Sequence, residues 1–219
     1  LKVDGEFDIS QMIKLAVNGQ LPSSPFEMDV EADLARILQM LPETMRIRND
    51  VQVTSGTATI HANTRNQSDV QRIMFNMDVA NLRAQQGTQS MVWNRPLRVT
   101  GAASENNGKV VVENLSIDSD FFELVGKASL AEGNFTFRGD LAQLKQQLGN
   151  LMDLSQYEVA GQIGGRLSWF EKPGEPPVGQ LAPVQFEGNF VVERPVISAP
   201  GFRRWTERKM QVELNGKTG

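Results

Sequence analysis

Apolar and polar residues alternate with a period of two along most of this chain, the pattern of strands with one apolar and one polar face. Ile73, Phe75, Met77 and Val79 alternate with Met74, Asn76 and Asp78, and Met28, Val30 and Ala32 alternate with Asp29 and Glu31. The opening Leu1-Lys2-Val3-Asp4-Gly5-Glu6-Phe7 follows the same rule. Val51 and Val53, then Ala58, Ile60 and Ala62, sit either side of Thr54-Ser55-Gly56, which resembles a turn. Leu97, Val99, Gly101 and Ala103 form a run that ends at Asn106-Asn107-Gly108, where Asn-Gly predicts a hairpin. Strands are predicted at Val110 to Ile117, Phe122 to Leu130 and Phe135 to Gly139, with a turn at Glu132-Gly133-Asn134. Further strands are predicted at Val159 to Trp169, Val184 to Val192 and Lys209 to Leu214. The fold class is therefore mainly β: a curved, largely antiparallel sheet, either an open groove or a sandwich.

Helical spacing is confined to short stretches. Leu34, Ile37, Leu38 and Leu41 fall at i, i+3, i+4 and i+7, with Asp33 as N-cap and Pro42 as stop. Leu141, Leu144, Leu148 and Leu151 have the same spacing behind Asp140, and a third, shorter stretch begins at Asp8-Ile9-Ser10-Gln11-Met12. Asp33-Leu34-Ala35-Arg36-Ile37 matches Asp140-Leu141-Ala142-Gln143-Leu144, and a strand flanks each helix on both sides. This predicts a repeated unit of strand, capped helix and strands. The expected divisions are 1–25 as the end of a preceding repeat, 26–132 as a first unit and 133–219 as a second, within a segment of a longer chain. A second recurrence, apolar-x-Gly-x-apolar, appears at Gly5, Gly101, Gly161 and Gly188. Glycine weakens a strand interior, so its recurrence points to sheet curvature.

Charge and composition narrow the function. With 22 Lys+Arg against 26 Asp+Glu the net charge is −4, which lacks the basic surplus of a nucleic-acid binder. The 219 residues contain no cysteine, which excludes disulfides, thiolate metal sites and cysteine nucleophiles. No apolar run is long enough for a membrane helix.

Candidate chemistry is sparse. His61, the sole histidine, lies in an alternating strand without cysteine partners, and Gly216-Lys217-Thr218 lacks the first glycine of a phosphate loop because position 211 is Gln211. Gly161, Gly164 and Gly165 miss the dinucleotide spacing. Asp118, Asp120 and Glu123 lack a calcium-loop glycine, and Asp29, Glu31 and Asp33 form an acidic row suited to a solvent-facing strand. Arg203, Arg204, Arg208 and Lys209 surround Trp205, a grouping that suits an anionic headgroup or an exposed turn. Three glycosylation sequons begin at Asn66, Asn114 and Asn134, two of them in predicted strands. No catalytic, cofactor-binding or metal-binding residue is expected, and the chain is expected to be non-enzymatic.

Leu115-Ser116-Ile117-Asp118-Ser119-Asp120, Leu124-Val125-Gly126-Lys127-Ala128, Phe137-Arg138-Gly139-Asp140-Leu141 and Val159-Ala160-Gly161-Gln162-Ile163 together resemble the AsmA-like and TamB-like families of bacterial envelope proteins. The resemblance covers roughly residues 97–170 and, more loosely, the first 65; the chain departs from it in the polar stretch Asn81 to Ser90. It implies a long curved sheet with a hydrophobic groove, in a periplasmic chain anchored in the inner membrane that passes lipids or assists outer-membrane assembly. Ile73, Phe75, Met77, Val79, Val159, Ile163, Leu167 and Trp169 are the expected groove residues. Phospholipid or another acyl lipid, adjacent repeats and outer-membrane assembly proteins are the expected partners. The alternative is a structural or adhesive module whose apolar face is closed in a core and which binds protein partners.

Overall fold

The computed structural model describes residues 2–9, 13–20, 26–40, 47–67, 70–93, 96–106, 109–171 and 184–217. The alternating runs form fourteen strands of one open, curved, antiparallel sheet. A first set of elements comprises β3 (Phe26–Asp33), α1 (Leu34–Met40), β4 (Val51–Gln67), β5 (Val70–Gln86), β6 (Gln89–Trp93) and β7 (Leu97–Asn106). Before it stand β1 (Lys2–Ile9) and β2 (Ile13–Gln20); after it come β8 (Lys109–Asp118) and β9 (Phe122–Ser129). The second comprises β10 (Glu132–Asp140), α2 (Leu141–Gly149), β11 (Glu158–Glu171), β12 (Val184–Ala199), β13 (Phe202–Thr206) and β14 (Lys209–Lys217).

The two sets correspond element by element. β5 pairs β4 along one edge, while β7 and β6 share its other edge in succession. In the same way β12 pairs β11 on one edge and β14 and β13 in succession on the other. A residue at positive φ marks each division: Asn81 at 54° in β5 and Arg194 at 49° in β12. Facing them, β4 is bulged between Val53 and Thr57, and β11 between Ala160 and Gln162. Gly161 sits in the second bulge at φ 123°, where a Cβ would press on the Glu193 carbonyl.

The bulges also account for a change of phase. Apolar positions are odd from Ile73 to Val79 and even at Leu82 and Ala84, so an unbroken ladder would turn one set to the other face. Thr54-Ser55-Gly56 is thus an irregularity inside one seventeen-residue strand, where the sequence suggested a turn. Likewise Glu132-Gly133-Asn134 belongs to β10; the chain reverses just before it, where the Ser129 hydroxyl accepts the Ala131 and Glu132 amides at 3.2 and 3.0 Å. Asp8 and Ile9 lie in β1 instead of opening a third helix, while Ser10, Gln11, Met12, Leu41 and Pro42 lie outside the described residues. Two strands without a clear sequence signal, β6 and β13, extend the far ends of β5 and β12.

Both predicted caps form. Asp33 Oδ1 accepts the Arg36 amide at 3.1 Å, and Asp140 Oδ1 accepts the Gln143 amide at 2.9 Å while its Oδ2 takes Gln162 Nε2 at 2.6 Å. The main buried cluster joins the two sets at this helical rim: Ala35, Val51, Val53, Leu82 and Ala84 from the first with Leu151 from the second. The Arg48 amide donates to the Leu151 carbonyl at 2.9 Å, and Ile47 bridges Met152. Six inter-strand steps of about 4.8 Å separate β4 from β11 along the sheet. Contact between the segments beside them therefore fastens one rim of a curled sheet. The accessible surface is 14881 Å², whereas a compact 24.3 kDa monomer exposes about 10,000 Å². The excess is that of an open sheet, and among the described residues no second sheet packs on it.

Asp140→Ala is expected to lower stability by about 1 kcal/mol through loss of the cap, read from urea unfolding at pH 7. The Gln143 amide holds the Asp140 carboxyl below its ordinary range. Its contribution is therefore full above the unfolded-state value of about 3.9 and fades as the pH falls below it. The gap between wild type and variant should be narrower at pH 3 than at pH 7.

Candidate functional site

Directly paired residues share a face, so the register shows how the faces are composed. From Met77 the pairing runs to Val99, Ile117, Leu124, Phe137, Gly165, Phe190 and Val212, crossing from β5 to β14. In the other direction it runs through Ile60 and Val30 to Leu15 and Phe7 in β2 and β1. Every position is apolar or glycine. One residue along, the row Asp29, His61, Asn76, Thr100, Ser116, Val125, Thr136, Arg166, Asn189 and Glu213 is polar except for Val125. A continuous apolar trough and a polar back thus extend from β3 to β14.

Seven of the eight expected groove residues lie on the trough face: Ile73, Phe75, Met77 and Val79 from β5, and Ile163, Leu167 and Trp169 from β11. All seven are half-buried or exposed, Ile73 at 42%, because only strand neighbours cover them. Val159 stands apart, beyond the Gly161 bulge and opposite Ile197.

The glycines serve the floor of the trough. Gly101, Gly126, Gly133 and Gly216 are paired directly with Phe75, Phe135, Trp169 and Phe186, and each lies beneath the ring of its partner, where a Cβ would collide with ring atoms. Gly188 faces the Phe190 ring at 3.0 Å from its would-be Cβ. The recurrent glycines at 101 and 188 therefore make room for aromatic rings, and Gly161 makes a bulge; Gly5 lies in β1. A ring lying over glycine leaves the space above it open. The rings also touch one another: Phe135 stacks on Trp169 with centroids 5.6 Å apart, Phe137 meets Phe190 at 5.6 Å and Phe122 at 6.2 Å. Trp169 Nε1 donates to the Ser129 carbonyl at 3.1 Å, fixing its orientation. The glycine–ring pairs were legible only as separate glycines and aromatics, since most partners lie far apart in sequence.

The polar back is laced with ion pairs between strands, and Arg72 of β5 reaches past β7 to its partner in β8. Arg98 binds Asp78 at 2.7 and 2.9 Å, Arg138 binds both Glu123 oxygens at 2.7 and 2.8 Å, and Arg72 meets Glu113. Arg138 holds the Glu123 carboxyl below its ordinary range. Glu123 is thus committed to an arginine and does not join Asp118 and Asp120 around an ion. The acidic row also has structural partners: Asp33 caps α1, and Asp29 Oδ1 lies 2.6 Å from His61 Nδ1. Glu27, Asp29 and His61 bring three ligand-type atoms within 4.8 Å of one another. Both ring nitrogens are already engaged, however, since Asn63 Nδ2 lies 3.1 Å from Nε2. The cavity between α2 and β5, of about 260 Å³ and lined by Trp93, Gln147 and Leu151, is smaller than the roughly 300–1,000 Å³ of small-molecule sites, whereas two hollows at the helical rim, of about 510 Å³ beside Arg48, Asp50 and Asp153 and of about 370 Å³ beside Lys145 and Leu154, fall within that range. The trough is the longest continuous apolar row among the described residues.

No protein-family model, curated protein or solved structure matches this chain.

Two outcomes follow from the trough geometry. Gly101→Val should force the Phe75 ring off the floor and cost about 1–3 kcal/mol, with Phe75→Ala in the same chain recovering part of the loss in a urea titration. Ile73→Glu should reduce fluorescence of an apolar dye on the protein, whereas Val125→Glu, on the back, should leave it unchanged. Both side chains are exposed, so each single change should move stability by no more than about 0.5 kcal/mol.

Proposed function

We propose that this chain is a non-enzymatic segment of a periplasmic envelope protein that holds and guides acyl lipid along the trough. The carrying observation is the apolar row from Val30 to Val212, which crosses ten strands and has no second layer upon it among the described residues. Soluble proteins seldom leave so large an apolar surface in water, and acyl chains satisfy it without polar partners. The fastened helical rim and the flat aromatic floor suit a long, thin and flexible guest. The resemblance of residues 97–170 to AsmA-like and TamB-like sequences supports the same reading and gives the setting: an inner-membrane-anchored chain, with adjacent repeats and outer-membrane assembly proteins as partners. A closed structural module would need its apolar face covered, and the open sheet weighs against it.

Native mass spectrometry of the protein purified from bacterial membranes should show phospholipid at defined stoichiometry, identified by organic extraction. In a Trp93→Phe, Trp205→Phe background, phospholipid brominated on its acyl chains should quench Trp169. An apo mass with unquenched Trp169 at saturating lipid would overturn the proposal.

A further inference from the structure

The chain carries a second surface, away from the trough floor, with the chemistry of a membrane contact. β13 is exposed at every residue, unlike any other strand whose side chains are described. It forms a hairpin with the end of β12 through Pro200 and Gly201, the latter at φ 81°. At the tip Phe202 is 77% exposed, and along the ribbon Trp205 (38%) is paired directly with Ile197 (44%). β13 is the edge of the sheet here, with β12 and then β11 behind it, so Trp205, Ile197 and Val159 line up as a short apolar row at the margin and Phe202 stands at the tip.

The charge around them is opposite to that of the rest of the molecule. Residues 193–209 hold five Lys and Arg against two Glu, leaving 17 basic against 24 acidic residues elsewhere. Arg204 is bound by both oxygens of Glu158 at 2.8 and 3.0 Å, which anchors the ribbon to β11, and Lys209 stands opposite Glu193. Arg194, Arg203 and Arg208 have no ion-pair partner among the described residues. The base is firm: Pro195 is fully buried, and the Arg194 amide donates to the Arg208 carbonyl at 2.8 Å, bringing those two arginines together. Phe202 is paired with Ala199 and Trp205 with Ile197, so the two aromatics share one side of the ribbon.

We propose that the β12–β13 hairpin docks on the surface of an anionic lipid bilayer. Phe202, Trp205 and Ile197 enter the interfacial layer, and Arg194, Arg203 and Arg208 meet lipid phosphates. Aromatic side chains favour the interface, guanidinium pairs well with phosphate, and juxtaposed cations are drawn to an anionic leaflet. A soluble polyanion would use the arginines alone and leave the apolar tip without a role. That docking would bring the trough to its source of lipid rests on the function proposed above; the docking itself does not.

The test is sedimentation of the full chain with vesicles of phosphatidylcholine containing one fifth phosphatidylglycerol, alongside Trp205 emission in a Trp93→Phe, Trp169→Phe background. Binding at least tenfold stronger than to pure phosphatidylcholine, weakened by salt, with a blue shift of Trp205, is expected. Arg203→Glu with Arg208→Glu, and separately Phe202→Ser with Trp205→Ser, should each lower binding at least tenfold. All four side chains are exposed, and an unchanged circular dichroism spectrum verifies the fold. Undiminished vesicle binding by either variant overturns the proposal. So does heparin binding that equals vesicle binding and ignores Phe202→Ser, which would assign the surface to a soluble polyanion. Acyl quenching of Trp169, read with tryptophan retained there, reports the trough separately, so loss of docking with quenching intact leaves the lipid function standing.

Discussion

Everything in this molecule depends on register. From β3 to β14 the strands are aligned so that the row through Met77 holds only apolar residues or glycine, and a slip of one residue would carry a row such as Asp29, His61 and Asn76 into the trough. The cost of that exchange holds each pairing in place. Where the apolar phase itself changes, the backbone absorbs it, at the bulges facing Asn81 and Arg194. These irregularities keep one face apolar through strands of sixteen or more residues and let β5 and β12 each take two successive partners on a single edge.

The trough and the core answer different physical needs. Burial is concentrated at the helical rim, where Ala35, Val53 and Leu151 from distant parts of the chain share one cluster. This rim curls the sheet and ties the two sets of elements together. The trough gains much of its cohesion from backbone ladders and from rings resting on glycines, and it leaves apolar surface facing outward. Such a distribution would be poor design for a protein whose only task is to fold, and it is well suited to one that receives an apolar guest.

The polar back and the basic hairpin complete a division of labour. Inter-strand ion pairs such as Arg138–Glu123 are exposed and contribute little stability, but they keep that face in water and so orient the sheet. Around β13 the balance reverses: Arg204 pairs with Glu158, while Arg194, Arg203 and Arg208 have no ion-pair partner among the described residues and lie near exposed aromatics. Two apolar surfaces of distinct kind result, one long and concave and one small, at the sheet's edge, with cationic flanks.

Much of this was legible in the sequence because it is local. Alternation over four to eight residues specifies a strand and assigns its faces, and an aspartate before a 3.6-period apolar stripe specifies a capped helix, so Asp33 and Asp140 revealed both helices. The turn expected at Thr54-Ser55-Gly56 failed because a phase change in one strand looks like two strands until its partner is known. β13 was hidden because a strand exposed on both faces has no alternation to display. The role of Gly101, Gly126, Gly133 and Gly216 belongs to cross-strand pairs, which sequence spacing does not report. The sequence by itself determined that there would be two faces, one apolar and one polar. Only the tertiary structure decided that the apolar face stays open, because alternation is the same whether a second sheet covers that face or none does.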